Sequence, residues 1–337
     1  MAANDSVTKT VSMRREPTIE SGAGGSKKSN LLVFTTSYNE CENIAPLIDQ
    51  IAEAVPAADI LVVDDNSPDG TWDIIQAKAM QYPQLRAVMR PRKLGIGSAH
   101  KYALFYAMRE GYETLVTLDA DFSHNPKAIP ELLRAHGRNV FVTGSRYCAG
   151  GSSDYAGYRN IVSRAGNIAA RLALGVRLKE LTTYFRVFDV SSLRALPLRK
   201  VKASGYSYGV QLIYYLRKAG VELREVPIHF TDRSRGSSKI PRLQILLSAF
   251  DLLMLARQRL YIFRDFAPDI VVEDACAECH DQALAMKDKR RRAGESSVFV
   301  CLRCGHEQTP RSLRDAVHLT SGIPDNRRSN ARSAPCA

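Results

Sequence analysis

From residue 30 onward, short apolar runs alternate with segments of helical spacing. Leu31–Thr36 is an apolar run, and Cys41–Val55 places Ile44, Leu47, Ile48 and Ile51 on one helical face. Ile60–Val63 is a β-branched run that ends in Asp64-Asp65. A helix is predicted over Trp72–Met80, a strand over Leu85–Met89, a helix over Ser98–Arg109 and a strand over Thr114–Leu118 that runs into Asp119. Pro126–His136 reads as a helix and Val140–Thr143 as a strand. Alternation of this kind predicts an α/β fold, a mainly parallel sheet with helices on both faces. Beyond residue 145 the rhythm changes. Ile161–Leu174 and Tyr208–Lys218 are helical, and Leu181–Phe188 and Val221–Phe230 are strand-like, with Pro227 marking an edge or a bend. Leu243–Phe263 reads as a long amphipathic helix, and no internal repeat is visible.

Polar residues gather where the predicted strands end. Ser37-Tyr38-Asn39-Glu40 follows the first strand, Asp64-Asp65-Asn66-Ser67 the second and Asp119-Ala120-Asp121 the fourth. Any one cluster is ordinary loop and helix-cap chemistry. Three at equivalent places point to one shared site, because open α/β sheets bind ligands beyond the carboxyl ends of their strands.

Charge sharpens this picture. The chain has 337 residues, is 45% hydrophobic and 24% charged, and carries a net charge of +12. That composition excludes a predominantly disordered chain. Residues 30–145 hold 10 basic and 14 acidic side chains, whereas residues 146–263 hold 20 and 7. An acidic half suited to a cation is joined to a basic half suited to phosphates, nucleic acid or an anionic membrane. The most apolar stretch, residues 245–263, is broken by Asp251, Arg257 and Arg259, so no spanning helix is expected. No apolar signal-peptide core stands at the start. The expected location is the cytoplasm, at a membrane surface.

Asp119 and Asp121, two apart at a strand end, can converge on one ion, and hard oxygen ligands select Mg²⁺ or Mn²⁺. Ser67-Pro68-Asp69-Gly70 is a strong turn in which Asp69 or Thr71 caps the next helix. Arg92 to Gly97 offers two cations and two glycines before a helix, at a spacing that fits neither the P-loop nor the dinucleotide fingerprint.

These residues, in this order, resemble family 2 glycosyltransferases of the GT-A (Rossmann-like) fold, and within them the dolichyl- and polyprenyl-phosphate mannose synthases. The likeness runs on through Gly144-Ser145-Arg146-Tyr147, Gly150-Gly151, Arg159 to Ser163-Arg164, Leu181-Thr182, Phe185-Arg186, Gly205-Tyr206, Glu225 to Ile228 and Arg233 to Lys239, covering about residues 30–260. The resemblance implies that Tyr38 and Glu40 contact the nucleotide, with Val63 and Asp65 beside base and ribose. It implies a divalent cation, Mg²⁺ or Mn²⁺, held at the donor diphosphate by Asp119 and Asp121 with the Ala120 backbone beside it. It assigns the acceptor phosphate to Arg146, Arg159 and Ser163, with Arg146 also near the donor and Arg233 and Lys239 closing over the diphosphate. Asp121, Arg146 and Arg159 carry the catalytic burden in that reading. The implied reaction moves a hexosyl group, mannosyl from GDP-mannose, onto a polyprenyl monophosphate. The enzymatic alternative is a related transferase with another donor, such as UDP-glucose, or another acceptor. Thr36 stands where the family usually has proline, Thr183-Tyr184 replaces Gly-Ser, and Gln211 takes a place often held by glutamate.

Cys276-x-x-Cys279 followed by Cys301-x-x-Cys304 has the spacing of a zinc ribbon, whose four thiolates hold a structural Zn²⁺. This module lies outside the resemblance and is a candidate docking site for a protein partner. The expected organisation is a disordered leader over 1–29, the GT-A domain over 30–263, the ribbon over 264–310 and a disordered tail over 311–337. A nucleic-acid-binding zinc-ribbon protein is the rival of another class. The acidic strand ends would have no use there, and no base-reading motif appears, so no nucleic acid is expected as a partner.

Overall fold

A computed structural model describes residues 29–154, 157–198, 201 and 207–232, together with three short strands, 284–286, 299–301 and 307–308. The chain runs β1 (Leu31–Ser37), α1 (Ile44–Ala54), β2 (Asp59–Asp64), α2 (Thr71–Gln81), β3 (Leu85–Met89), α3 (Ile96–Arg109), β4 (Thr114–Asp119), a 3-10 turn at Pro126–Ala128, α4 (Ile129–Ala135) and β5 (Val140–Ser145). It continues through β6 (Ser152–Ser153), α5 (Gly157–Leu174), β7 (Arg186–Asp189), α6 (Val190–Leu193), α7 (Ser207–Lys218), β8 (Glu222–Pro227) and β9 (His229–Phe230).

The main sheet has seven strands in the order β3-β2-β1-β4-β7-β5-β8. All its pairings are parallel except those of β7, which runs against both β4 and β5. Side chains alternate between two cores, as a strand's period of two requires. Leu32, Phe34, Leu61 and Val63 enter a core shared with residues of α3, α6 and α7. Val33, Ile60 and Val62 enter the opposite core with Ile44, Leu47, Ile48 and Ile51 of α1 and Trp72 and Ile75 of α2. Both faces are therefore covered, as the alternating pattern predicts.

Two elements differ from expectation. The Leu181–Phe188 run forms a strand only from Arg186, because the backbone of 181–185 is engaged by side chains from elsewhere. Asn167 takes the Leu181 N–H at 2.7 Å, and the Thr117 hydroxyl donates to the Tyr184 carbonyl at 2.6 Å. The Val221–Phe230 run divides after Pro227, the last residue of the edge strand β8, in agreement with the edge or bend that proline signals.

The strand order fixes where a site can lie. From β1 the chain moves outward to β2 and β3, then crosses back to β4 on the other side of β1. The crevice between β1 and β4 is thus a topological switch point, where open sheets bind ligands. The register sets Ser37 opposite Asp64 and Thr36 opposite Asp119, so the three polar strand ends come level.

The three remaining strands, β10 (Leu284–Met286), β11 (Phe299–Cys301) and β12 (Glu307–Gln308), form an antiparallel sheet of their own in the order β10-β11-β12. Cys301 ends β11, while Cys276, Cys279, Cys304 and the amphipathic segment 243–263 lie outside the described residues.

Candidate active site at the strand ends

Asp64, the last residue of β2, and Asp65, the next, are both buried but serve different ends. Asp64 organises the loops. It accepts the hydroxyls of Ser37 and Ser67 at 2.7 and 2.6 Å and the Ser67 N–H at 2.8 Å. The Ser67 hydroxyl in turn takes the Asn39 N–H at 2.9 Å, tying the first loop to the second. Asp65 pairs with Arg90, whose side chain is fully buried, and accepts the Gly95 N–H at 2.9 Å. Arg90 donates to the Ser98 hydroxyl at 2.6 Å, so the pair clamps the glycine loop to the start of α3. Burial pushes the Arg90 guanidinium below its usual range, against the opposing pull of Asp65. Arg90 escapes a reading of the sequence, since a lone arginine before Pro91 carries no motif.

Tyr38 lies half-buried with the Lys93 ammonium 3.9 Å from its ring centre, a cation–π contact between the first loop and the glycine loop. Glu40 accepts from the Asn43 amide at 2.8 Å, and its N–H donates to the Thr71 hydroxyl at 3.0 Å. Asp69 receives the Thr71 N–H and hydroxyl at 3.1 and 2.6 Å, but the N-cap of α2 is Gly70 in left-handed conformation, which makes no side-chain cap, so neither Asp69 nor Thr71 is the cap that the sequence suggests. The Val63 side chain belongs to the core, so only its backbone borders the crevice; its carbonyl accepts the Thr36 hydroxyl at 3.0 Å.

At the end of β4, Asp121 is 7% exposed and accepts the Ser123 N–H at 3.1 Å, across Phe122 in left-handed conformation at φ 60°. Asn39 and Asn66, in the other two loops, also adopt positive φ, at 57° and 58°. Asparagine tolerates that region; phenylalanine there marks strain of the kind found at functional sites. His124 is fully buried, and burial draws its imidazole down to about 4. The Asp119 N–H donates to its Nδ1 at 3.2 Å, so the neutral ring carries its proton on Nε2, 2.7 Å from the Thr183 hydroxyl. Thr183, one of the departures from the family pattern, is thus part of the site. Its neighbour Tyr184 stacks on the buried His100 ring at 4.1 Å.

Asp119 and Asp121 are the donor set a hard divalent cation would use. Among the described residues no group of three or more His, Cys, Asp or Glu side chains forms a closed metal cage. Two carboxylates, leaving coordination positions for substrate oxygens and water, suit Mg²⁺ or Mn²⁺ on a diphosphate.

Across the crevice, Arg146 follows β5. Its Nε and Nη2 donate to the two Glu180 oxygens at 2.7 and 3.1 Å, and Nη2 also to Thr182 at 3.2 Å, with the Phe230 ring 4.4 Å away. Burial pushes the Glu180 carboxyl up, yet the Arg146 hydrogen bonds and charge, with those of Thr182, hold it below its ordinary value. Glu180 also escapes the sequence reading. The turn that delivers Arg146 needs Gly151, where a Cβ would overlap the Ser145 carbonyl oxygen and lie 2.8 Å from the Arg146 carbonyl carbon. Ser163 on α5 accepts the Tyr147 hydroxyl at 2.7 Å. Arg159 lies in the first turns of α5; its side chain, and Arg233 and Lys239, lie outside the described residues. The structure thus brings Asp65, Asp119, Ala120, Asp121 and Tyr38 to one crevice, with Arg146 and Ser163 on elements that follow β5.

Comparison with known proteins agrees with this architecture. Residues 32–196 match Glycosyl transferase family 2. An undecaprenyl-phosphate mannosyltransferase of Micrococcus luteus is 35% identical over 211 residues, 62% of this chain and 87% of the relative. A polyprenol monophosphomannose synthase of Mycolicibacterium smegmatis is 35% identical over 212 residues, 62% of this chain and 80% of the relative. Among solved structures, glucosyl-3-phosphoglycerate synthase from Mycobacterium tuberculosis, in complex with Mn²⁺, UDP-glucose and phosphoglyceric acid, superimposes with a TM-score of 0.51 at 22% identity. That match spans 68% of this chain and 80% of the other, a likeness of fold.

Proposed function

The chain belongs to glycosyl transferase family 2, and from that membership we propose that it transfers a mannosyl group from GDP-mannose to a polyprenyl monophosphate at a membrane surface. The observation that carries this reading is the convergence of strand-end carboxylates at the switch point between β1 and β4. Carboxylates stand at the ends of β2 and β4, and Arg146, paired with Glu180, stands beyond β5. The two bacterial relatives, named for mannosyl transfer to undecaprenyl phosphate and for polyprenol monophosphomannose synthesis, support the substrates.

In this assignment Tyr38, Glu40, Val63 and Asp65 border the nucleotide. Asp119 and Asp121, beside the Ala120 backbone, hold Mg²⁺ or Mn²⁺, which when bound offsets the charge of the leaving nucleoside diphosphate. A Mn²⁺-bearing neighbour of the same fold supports such a cation. Arg233 and Lys239 meet the donor diphosphate, and Arg146, Arg159 and Ser163 the acceptor phosphate, to which arginine offers fork-shaped donors. A phosphate monoester is ionised at neutral pH, so no strong general base is needed. Its oxygen attacks the anomeric carbon, and the nucleoside diphosphate leaves with the electron pair of the broken bond. The protein's task is to align two anions that would otherwise repel.

The cysteine pairs are assigned to a structural zinc ribbon. The antiparallel β10-β11-β12 sheet, ending one strand at Cys301, supports that assignment. None of the helices described is long and apolar enough to cross a membrane, and a peripheral association is proposed.

The reading is tested by presenting GDP-mannose and UDP-glucose, each with a short polyprenyl phosphate and with 3-phosphoglycerate, in the presence of Mg²⁺ or Mn²⁺. Mannosyl polyprenyl phosphate as the main product is expected. Preferential turnover of UDP-glucose, or of the non-lipid acceptor, would transfer the assignment to another member activity of the family.

A further inference from the structure

Phe230 is a large aromatic side chain, 8% exposed, that belongs to neither of the two cores flanking the sheet. Its ring packs instead on side chains around which the site is built. The Arg146 guanidinium carbon lies 4.4 Å from the ring centre, and the His124 ring meets it edge to face at 5.4 Å.

The backbone of Phe230 is fixed from two sides. It pairs with Ser153 in the β6–β9 ladder, and its carbonyl accepts the Asp154 N–H at 2.9 Å, which ties it to the chain that follows Arg146. It also forms an antiparallel bridge with His124, and the Thr231 N–H donates to the Ser123 carbonyl at 3.3 Å. Ser123 and His124 are the residues that hold the turn of the two carboxylates. The Ser123 N–H donates to Asp121, and the Asp119 N–H donates to the His124 ring. One residue thus links that turn to the guanidinium beyond β5.

A planar guanidinium needs two constraints to be held in one orientation. Glu180 supplies the first, taking Nε and Nη2 along one edge of the fork at 2.7 and 3.1 Å. An edge pair still lets the plane rock about the axis that joins the two groups. An aromatic face laid on the plane removes that motion, and in a buried setting such a contact is worth about ten-fold in an equilibrium. The Tyr147 ring is farther from Arg146, at 5.1 Å, and stands equally close to Arg164.

We propose that Phe230 is a positioning residue. Its ring sets the plane of the Arg146 guanidinium and keys it to the Asp119–Asp121 turn, so that the acceptor anion meets a cation already oriented toward the reacting centre. This rests on the proposed function, in which Arg146 receives the acceptor phosphate. Phe230 acts through Arg146 and touches no reacting atom itself.

The test varies the electrons of the ring and keeps its shape. In the full chain Phe230 is replaced by mono-, di- and trifluorophenylalanine, which draw charge from the ring face in steps and weaken its hold on a cation. Phe230→Leu, which has no ring face, is carried beside them. Two quantities are read. The first is the half-saturating concentration of a short polyprenyl phosphate at saturating GDP-mannose. It is expected to rise with each fluorine, to about ten-fold at three, and to be raised in Phe230→Leu as well. The half-saturating GDP-mannose concentration and the thermal melt should stay at wild type across the fluorinated series. The second needs no turnover. Hydrogen exchange of the Arg146 Nε–H, followed by NMR and assigned by its absence in Arg146→Lys, should quicken along the series as the guanidinium gains motion. Exchange that is the same in every variant would overturn the proposal. So would quickened exchange with an unchanged acceptor requirement, which would reduce the ring to a packing contact. If exchange responds as expected but wild-type protein glycosylates no polyprenyl phosphate, the hold on Arg146 stands and the proposed reaction fails.

Discussion

Asp121 combines two interactions in one carboxylate. It holds the strained Phe122 turn through the Ser123 N–H, and it is proposed to hold the cation. Asparagine keeps an acceptor for that N–H and removes the charge. Asp121→Asn is therefore expected to lower transfer by about 100-fold or more, as loss of several kcal/mol of charge stabilisation implies, while thermal melts stay near wild type. Wild-type initial rates in this variant would remove Asp121 from the metal site. His100 gives a second test, of stability rather than activity. Its ring is fully buried between Tyr184 and Phe34, and burial draws its basicity well below the ordinary 6.5. Unfolding therefore takes up a proton as pH falls below about 6.5, and the native state loses about 1.4 kcal/mol per pH unit from this residue, down to its own low folded value. His100→Phe keeps the ring packing and should flatten the pH dependence of the urea midpoint below 6.5. An unchanged slope would show that His100 is protonated in the native state. At this scale the carboxylates at the strand ends were legible as a cluster, since their type and position announce it. Arg90, the partner of Asp65, and Glu180, the partner of Arg146, were not, because a buried ion pair joins residues 25 and more apart that carry no local signature.

Among elements, β1 to β5 were legible to within a residue or two, because fully covered parallel strands read as short apolar runs. The direction of β7 was not, since an apolar run has no sense of direction. Nor was the irregular 181–185 segment, whose backbone hydrogen bonds go to side chains instead of a ladder. That segment is fastened to the end of β5 by the Arg146–Glu180 pair, both members buried. Removing one partner leaves the other charge unpaired in the interior. Glu180→Ala is accordingly expected to destabilise the protein by about 3–5 kcal/mol, read as a lower urea midpoint, and to raise the acceptor concentration needed for half-maximal rate as the guanidinium loses its orientation. A loss below about 1 kcal/mol, the level of an exposed pair, would show that the two side chains are solvated.

For the whole molecule, the acidic first half supplies the strand-end carboxylates Asp64, Asp65, Asp119 and Asp121, and the basic second half supplies Arg146, which Glu180 of the same half pairs. The charge count still overstates the basic surface, because Arg146 and Arg186 within that half are 6% and 1% exposed. Burial is decided by tertiary packing, which a running sum of charges does not contain. The cysteine pairs follow a local spacing rule that needs no surrounding domain, and the ribbon proposed from it is open to direct test. Purified protein is expected to carry about one zinc per chain, held by four thiolates, and Cys279→Ser should release it. A metal content near zero, with the tail equally resistant to protease, would contradict the ribbon. The central claim is mannosyl transfer to a lipid phosphate, and the most direct measurement supplies radiolabelled GDP-mannose and a short polyprenyl phosphate with Mg²⁺ or Mn²⁺, then counts label in the organic phase. Label that appears there with wild-type protein and vanishes with excess chelator is the expected result. Organic-phase label at background, with active protein turning over a different nucleotide sugar or acceptor, would contradict it.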